Sequence, residues 1–162
     1  MKVLLTGSNG LLGQKLVQKL RQDPEVELTA TSRGKNRLIE QGAYQYEALD
    51  ITDGQAVQNC LRKYQPDTVI HTAAMTQVDQ CEQDQQTCRM LNVEAVQYLT
   101  KACAATNAHL VHLSTDFIFD GAAGPYTEED EPNPLSFYGQ SKLQGEQIIR
   151  ESEISSAIIR TI

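Results

Sequence analysis

Tryptophan is absent from this 162-residue chain, proline (5) and glycine (10) are modest, and aromatic residues make up only 6%. With 40% hydrophobic residues, that composition argues against a disordered or low-complexity chain and fits one domain long enough to bury a core. Positive charge is scarce: 14 Lys and Arg against 21 Asp and Glu leave a net charge of −7. No cluster of cations stands out, so nothing supports a nucleic-acid partner. No apolar run approaches the roughly 18 residues of a membrane span, and Met1–Gly7 holds too short an apolar stretch for a signal peptide. The four cysteines, Cys60, Cys81, Cys88 and Cys103, show no Cys-x-x-Cys spacing. A reduced, cytoplasmic chain with small half-buried thiols and no metal is expected. An acidic surface does not draw anions from a distance, so an anionic ligand needs local devices: backbone N–H groups and a few placed cations.

What is present is alternation. Short apolar runs at 2–6, 26–31, 44–48, 68–72, 109–114 and 156–162 read as strands. Between them lie stretches with helical spacing: 11–21 (Leu12, Leu16, Val17, Leu20), a short one at 35–41, one capped by Asp53 and stopped by Pro66, the longest at 84–106, and one at 137–151. Strands separated by helical crossovers pair in parallel with helices on both faces, so the expected class is α/β with a doubly wound parallel sheet. The Gly-, Pro- and acid-rich loop 120–135 is long for a connection and is a candidate lid.

Gly7-Ser8-Asn9-Gly10-Leu11-Leu12-Gly13 follows the first strand and opens the first helix. That context gives the G-x-x-G-x-x-G spacing its meaning. Gly7 permits the tight turn, Gly10 lets backbone approach a pyrophosphate, and Gly13 lets the helix pack close to the sheet. Asn9, Leu11 and Leu12 complete the turn, and the helix N-terminus offers N–H groups and a positive dipole end. After the second strand no carboxylate appears; Ser32 and Arg33 could hold a ribose 2′-phosphate, which favours NADP over NAD. Asp50 and Ile51, after the third strand, could flank the adenine.

Tyr138-Gly139-Gln140-Ser141-Lys142 places a phenol and an ammonium on one helical face. The ammonium is expected to lower the phenol pKa, so that Tyr138 passes a proton to a carbonyl oxygen as hydride arrives. Thr115, at the end of the fifth strand, could donate a hydrogen bond to the same oxygen. Asn92, inside the long helix, could hold a water or a backbone group in a proton relay, or could be an ordinary exposed helix residue.

Together these residues resemble the short-chain dehydrogenase/reductase superfamily in its extended, nucleotide-sugar-acting branch. The strings Leu4-Leu5-Thr6-Gly7, Ala73-Ala74-Met75-Thr76-Gln77-Val78-Asp79, Ser114-Thr115-Asp116-Phe117-Ile118-Phe119-Asp120-Gly121 and Tyr138-Gly139-Gln140-Ser141-Lys142-Leu143-Gln144-Gly145-Glu146 are similar to those of dTDP-4-dehydrorhamnose reductases. The resemblance implies Thr115, Tyr138 and Lys142 as catalytic residues. It implies Gly7, Gly10, Gly13, Ala73, Ala74, Tyr138 and Lys142 at the cofactor, with Lys142 on the nicotinamide ribose, and Thr76, Val78 and Thr115 on the substrate side. The implied reaction is NAD(P)H-dependent reduction of the 4-keto group of a nucleotide-sugar. The implied partners are that substrate and a second copy in a homodimer, with no nucleic acid and no membrane. Residues 1–162 would be the dinucleotide-binding Rossmann domain. Because family members run to nearly twice this length and the chain stops inside the sixth strand, the substrate-binding part is expected to be absent. Two other readings stand: a non-catalytic subunit like the β subunit of methionine adenosyltransferase, which shares the Tyr-Gly-x-x-Lys run, and an extended sugar-nucleotide epimerase or dehydratase. Dehydratases tend to carry an acidic pair after the Thr, and here Asp116 is followed by Phe117.

Overall fold

The computed structural model describes residues 1–38 and 42–162. The elements run β1 (Lys2–Thr6), α1 (Leu11–Leu20), β2 (Glu27–Ser32), β3 (Gln45–Ala48), α2 (Gly54–Tyr64), β4 (Thr68–His71), α3 (Val78–Gln83), α4 (Gln85–Arg89), α5 (Ala95–Thr106), β5 (His109–Thr115), α6 (Phe137–Arg150) and β6 (Ser156–Thr161). The six strands form one sheet in the order β3-β2-β1-β4-β5-β6, and every pair is parallel. This is the doubly wound Rossmann order. Strand order reverses between β1 and β4, which opens a crevice at the carboxyl ends of the strands.

Alternation along β1 builds both layers. Val3 and Leu5 pack with Val17 of α1 and with Leu28 and Ala30 of β2. Leu4 faces the other way, into a larger cluster with Val57 and Leu61 of α2, Leu99 of α5 and Leu110 of β5. Helices on both sides keep the central strands from water, so β1 reads as a continuous apolar run rather than a strict alternation.

Capping follows local chemistry. The Asp53 carboxylate accepts the backbone N–H groups of Gln55 and Ala56 at the start of α2, and α2 ends at Gln65 in a left-handed conformation just before Pro66. Ser136 accepts the Gly139 N–H at the start of α6. By contrast α1 starts at Gly10 with no side-chain cap and no acid in its first turn.

The helix expected over 84–106 is interrupted. Between α4 and α5, Met90–Glu94 forms a wider π turn, which admits one extra residue and turns Leu91 and Asn92 toward the body of the protein. Leu91 lines the crevice, and Asn92 is 1% exposed, which rules out the exposed-helix reading. Helix α3 was not foreseen. The short helix expected over 35–41 does not form in its described part. There Asn36 receives the Leu38 N–H and donates to the Tyr44 hydroxyl, side-chain bonds that compete with helical ones; residues 39–41 lie outside the described residues. No helix among the described residues is long and apolar enough to cross a membrane. All four cysteines are free and buried.

Candidate active site

The glycine turn is closed to side chains at two of its glycines and open at the third. Gly7 has φ +74°, and a Cβ there would stand 2.6 Å from the Ala73 nitrogen. A Cβ on Gly13 would stand 2.2 Å from the Gly7 carbonyl oxygen. Both positions are closed to any side chain by the protein itself. Gly10 meets only the Gly7 oxygen, at 3.3 Å, and with Gly7, Ser32, Arg33, Asp50 and Ala73 it lines the crevice. Ile51 and Ala74 line it too. Leu11 and Leu12 are exposed beside it. Ser8, at the foot of the turn, is fully buried and its hydroxyl has no partner among the described residues.

Asn9 ties the turn to the segment after β2. Its amide donates to the Lys35 carbonyl at 3.0 Å and accepts the Arg37 N–H at 3.0 Å. The Tyr46 hydroxyl fixes the same segment by donating to the Gly34 carbonyl at 2.7 Å. Arg33 is exposed at the crevice rim. The Asp50 carboxylate accepts from the Thr52 N–H and hydroxyl, and these bonds hold its pKa below the ordinary value.

Thr115, Tyr138 and Lys142 come together where β5 ends and α6 begins. They are 5%, 9% and 3% exposed. Gly139 makes this approach feasible, since a Cβ there would lie 2.2 Å from the Phe117 carbonyl oxygen. The Tyr138 ring meets Phe117 edge-on at 5.9 Å and packs on Cys81 and Cys88. The Thr115 hydroxyl donates to Asp116 at 3.2 Å and accepts the Phe117 N–H.

The electrostatics correct one expectation. Burial pushes the Tyr138 phenol above its ordinary value, with the Thr115 hydroxyl pulling the other way. The Lys142 ammonium does not offset this. Its chain runs inward from α6, and Nζ donates to the Leu113 carbonyl at 2.7 Å. Burial lowers the Lys142 pKa to about 8, against the raising influence of Glu146. The phenol is therefore held protonated at neutral pH.

Thr76 is exposed on the connection after β4. Val78, expected on the substrate side, opens α3 and packs, half-buried, against the Cys81, Cys88 and Tyr138 cluster. Sequence reasoning missed several participants. The Ser141 hydroxyl donates to the Tyr138 carbonyl at 2.7 Å and accepts from Asn92 at 3.0 Å. Glu146, fully buried, is gripped by Arg160 of β6 at 3.1 and 2.9 Å. Ser141 and Glu146 both stand inside the Tyr138–Glu146 string, but the string does not say which partners they hold. The expected lid at 120–135 is cinched by Asp120, which accepts from the Ala122 N–H, the Tyr126 hydroxyl and the Asn133 amide.

A crevice at the strand-order reversal with an uncapped helix over it, and a buried Tyr/Lys pair beside it, meet a matching sequence signature. Residues 1–162 match the RmlD substrate binding domain family from end to end. The chain belongs to that family. It is 35% identical to methionine adenosyltransferase 2 subunit beta of Bos taurus over 159 residues, 98% of this chain and 46% of the relative. It is also similar to two solved members of the RmlD-type reductases. The dTDP-4-dehydrorhamnose reductase of Clostridium acetobutylicum is 35% identical with a TM-score of 0.85, covering 100% of this chain and 53% of that one. The enzyme of the same name from Bacillus anthracis, solved in complex with NADP, is 32% identical with a TM-score of 0.81, covering 98% and 52%. The chain thus spans about half the length of these RmlD-family relatives.

Proposed function

We propose that this chain is the cofactor-binding part of an NADP-dependent reductase acting on the 4-keto group of a nucleotide-linked sugar, with dTDP-4-dehydrorhamnose as substrate and dTDP-L-rhamnose as product. The observation that carries this reading is the burial of Thr115 at the carboxyl end of β5 together with Tyr138 and Lys142 on one face of α6.

The residues fit a dinucleotide. Gly10 leaves backbone bare toward the crevice, α1 is uncapped with no acid in its first turn, and the Ser8 hydroxyl is unpartnered among the described residues. Those features suit a pyrophosphate at a helix N-terminus. Ser32 and Arg33 at the rim suit a 2′-phosphate, so NADP is preferred and NAD is the weaker ligand.

A nicotinamide cofactor held there would supply hydride to the carbonyl carbon. Tyr138 gives its proton to the oxygen as negative charge develops, a task suited to a phenol kept protonated by burial. The Thr115 hydroxyl turns from Asp116 to donate to the same oxygen. Lys142, anchored on the Leu113 carbonyl, shares a helical face with Tyr138 and would hold the ribose hydroxyls of a bound nicotinamide cofactor.

Titration with NADPH and NADH, followed by nicotinamide fluorescence, tests the binding half; absence of NADPH binding overturns it. With the full-length protein, NADPH oxidation in the presence of dTDP-4-dehydrorhamnose tests the chemistry, and Tyr138→Phe is expected to lower the rate by roughly 10²–10⁴-fold with NADPH affinity retained. A second reading has a specific basis in the 35% identity to a methionine adenosyltransferase β subunit. On that reading the chain binds the cofactor as part of a non-catalytic subunit, and the full-length protein binds NADPH without oxidising it when the keto-sugar is added.

A further inference from the structure

Two imidazoles behind Lys142 have no part in the chemistry above. His71 of β4 and His112 of β5 face each other across the sheet in register, with rings stacked at 5.3 Å and 27°. They are 2% and 0% exposed. His71 Nδ1 lies 2.7 Å from the Thr6 hydroxyl of β1. His112 Nε2 lies 3.4 Å from Lys142 Nζ. His112 Nδ1 has no partner among the described residues.

Burial holds both rings neutral, His112 well below the ordinary imidazole value and His71 at about 3, with the charge of Lys142 adding to the effect. A lysine ammonium has only hydrogens to offer. The nitrogen facing it must therefore present a lone pair, which places the ring proton of His112 on Nδ1, where no group among the described residues accepts it. A buried N–H without a partner destabilises a fold, and an apolar side chain of similar size would avoid that cost. His112 is thus a poor choice for stability alone.

The geometry points to His112 as a positioning residue for Lys142: its Nε2 lone pair, together with the Leu113 carbonyl, holds the ammonium charged and directed on the Tyr138 face of α6. The residue touches neither the proposed substrate nor the cofactor and acts through Lys142. Its purpose, though not its geometry, rests on the reductase reading. The other titratable groups around Lys142 are His71 behind His112, Cys88 of α4, and Tyr138 and Glu146 of its own helix, with Glu146 neutralised by Arg160 of β6.

The test is a pH titration of the Lys142 ammonium by ¹³C and ¹⁵N NMR, its signal assigned by loss in Lys142→Met. His112→Leu removes the acceptor and is expected to lower the Lys142 midpoint by about one pH unit, a tenfold change. His112→Gln, whose amide oxygen reaches the same point, is expected to restore it. An unmoved midpoint in His112→Leu, or equal shifts in both variants, overturns the inference, since the second pattern reports packing alone. If neither variant folds, long-range ¹H–¹⁵N spectra of the unmodified protein decide: a proton on Nδ1 of His112 supports the inference and a proton on Nε2 overturns it. NADPH affinity measured on the same samples is expected to lose its alkaline limb about one pH unit earlier in His112→Leu. If the NMR midpoint moves as expected and NADPH does not bind at all, the reductase reading falls and the positioning role stands; if NADPH binds and the midpoint stays, the reverse holds.

Discussion

The side-chain amide of Asn92 holds both backbone groups of Met75: Oδ1 accepts the Met75 N–H at 2.8 Å and Nδ2 donates to the Met75 carbonyl at 2.9 Å. Because Nδ2 also donates to Ser141, one side chain joins the π turn, the connection after β4 and helix α6. Replacing Asn92 with Ala removes the partner of the Met75 N–H and leaves the Met75 carbonyl only the weak Cys81 thiol donor. Asn92→Ala is expected to cost about 3 kcal/mol of stability, read from urea unfolding, with Asn92→Asp intermediate because it keeps only the acceptor.

The Glu146–Arg160 pair makes a contrasting prediction. Glu146→Gln leaves Arg160 in a site where its side chain is only 14% exposed, and it is expected to cost about 3–5 kcal/mol. Replacing both partners with Leu is expected to recover most of that loss, because two apolar groups leave no uncompensated charge. Arg150, more than half exposed on the other side of Glu146, is expected to matter by less than about 0.5 kcal/mol when changed to Ala. Thermal or urea unfolding of the three variants checks the ranking.

Acid sensitivity follows from the buried imidazoles. His71 titrates at about 3 in the folded chain against 6.5 when exposed. Between those values the unfolded chain binds the extra proton, so the stability from keeping His71 neutral is full above pH 6.5 and is lost as pH falls toward 3. Urea unfolding at pH 7 and pH 4 is expected to differ by on the order of 3 kcal/mol from this residue. In His71→Asn the pH dependence over the same interval is expected to flatten.

Two glycines predict opposite sensitivities. Gly13→Ala forces a methyl against the Gly7 carbonyl, backbone against backbone, and is expected to lower stability by more than about 2 kcal/mol. Gly34 has φ +80° and open space around it, so Gly34→Ala is expected to cost only about 1 kcal/mol of conformational strain. Differential scanning calorimetry separates the two.

Much of the architecture was legible because the apolar runs at 2–6 and 109–114 and the crossover helices carry strong periodic signals. Asp53 and Pro66 marked the limits of α2 by chemistry that acts locally. The glycine turn was legible for the same reason, since Gly7 and Gly13 are required by contacts close in the chain. What was not legible depends on distant packing. The π turn at Met90–Glu94 follows from Asn92 reaching Met75, seventeen residues away. Val78 turned inward because α3 packs on Cys88 and Tyr138. The direction of the Tyr138 pKa is hidden for a related reason: spacing places Lys142 on the same face but says nothing of the Leu113 carbonyl that takes its hydrogen bond, or of the burial that raises the phenol.

The tether from Asn9 to the backbone of Lys35 and Arg37 makes the glycine turn and the segment bearing Arg33 a single mechanical unit. On the proposed reductase reading, redesigning residues 33–37 to change which nicotinamide dinucleotide is preferred is expected also to weaken binding of the part that both dinucleotides share. Exchanging side chains at 32 and 33 while leaving the path of the main chain intact is the route that separates selectivity from affinity.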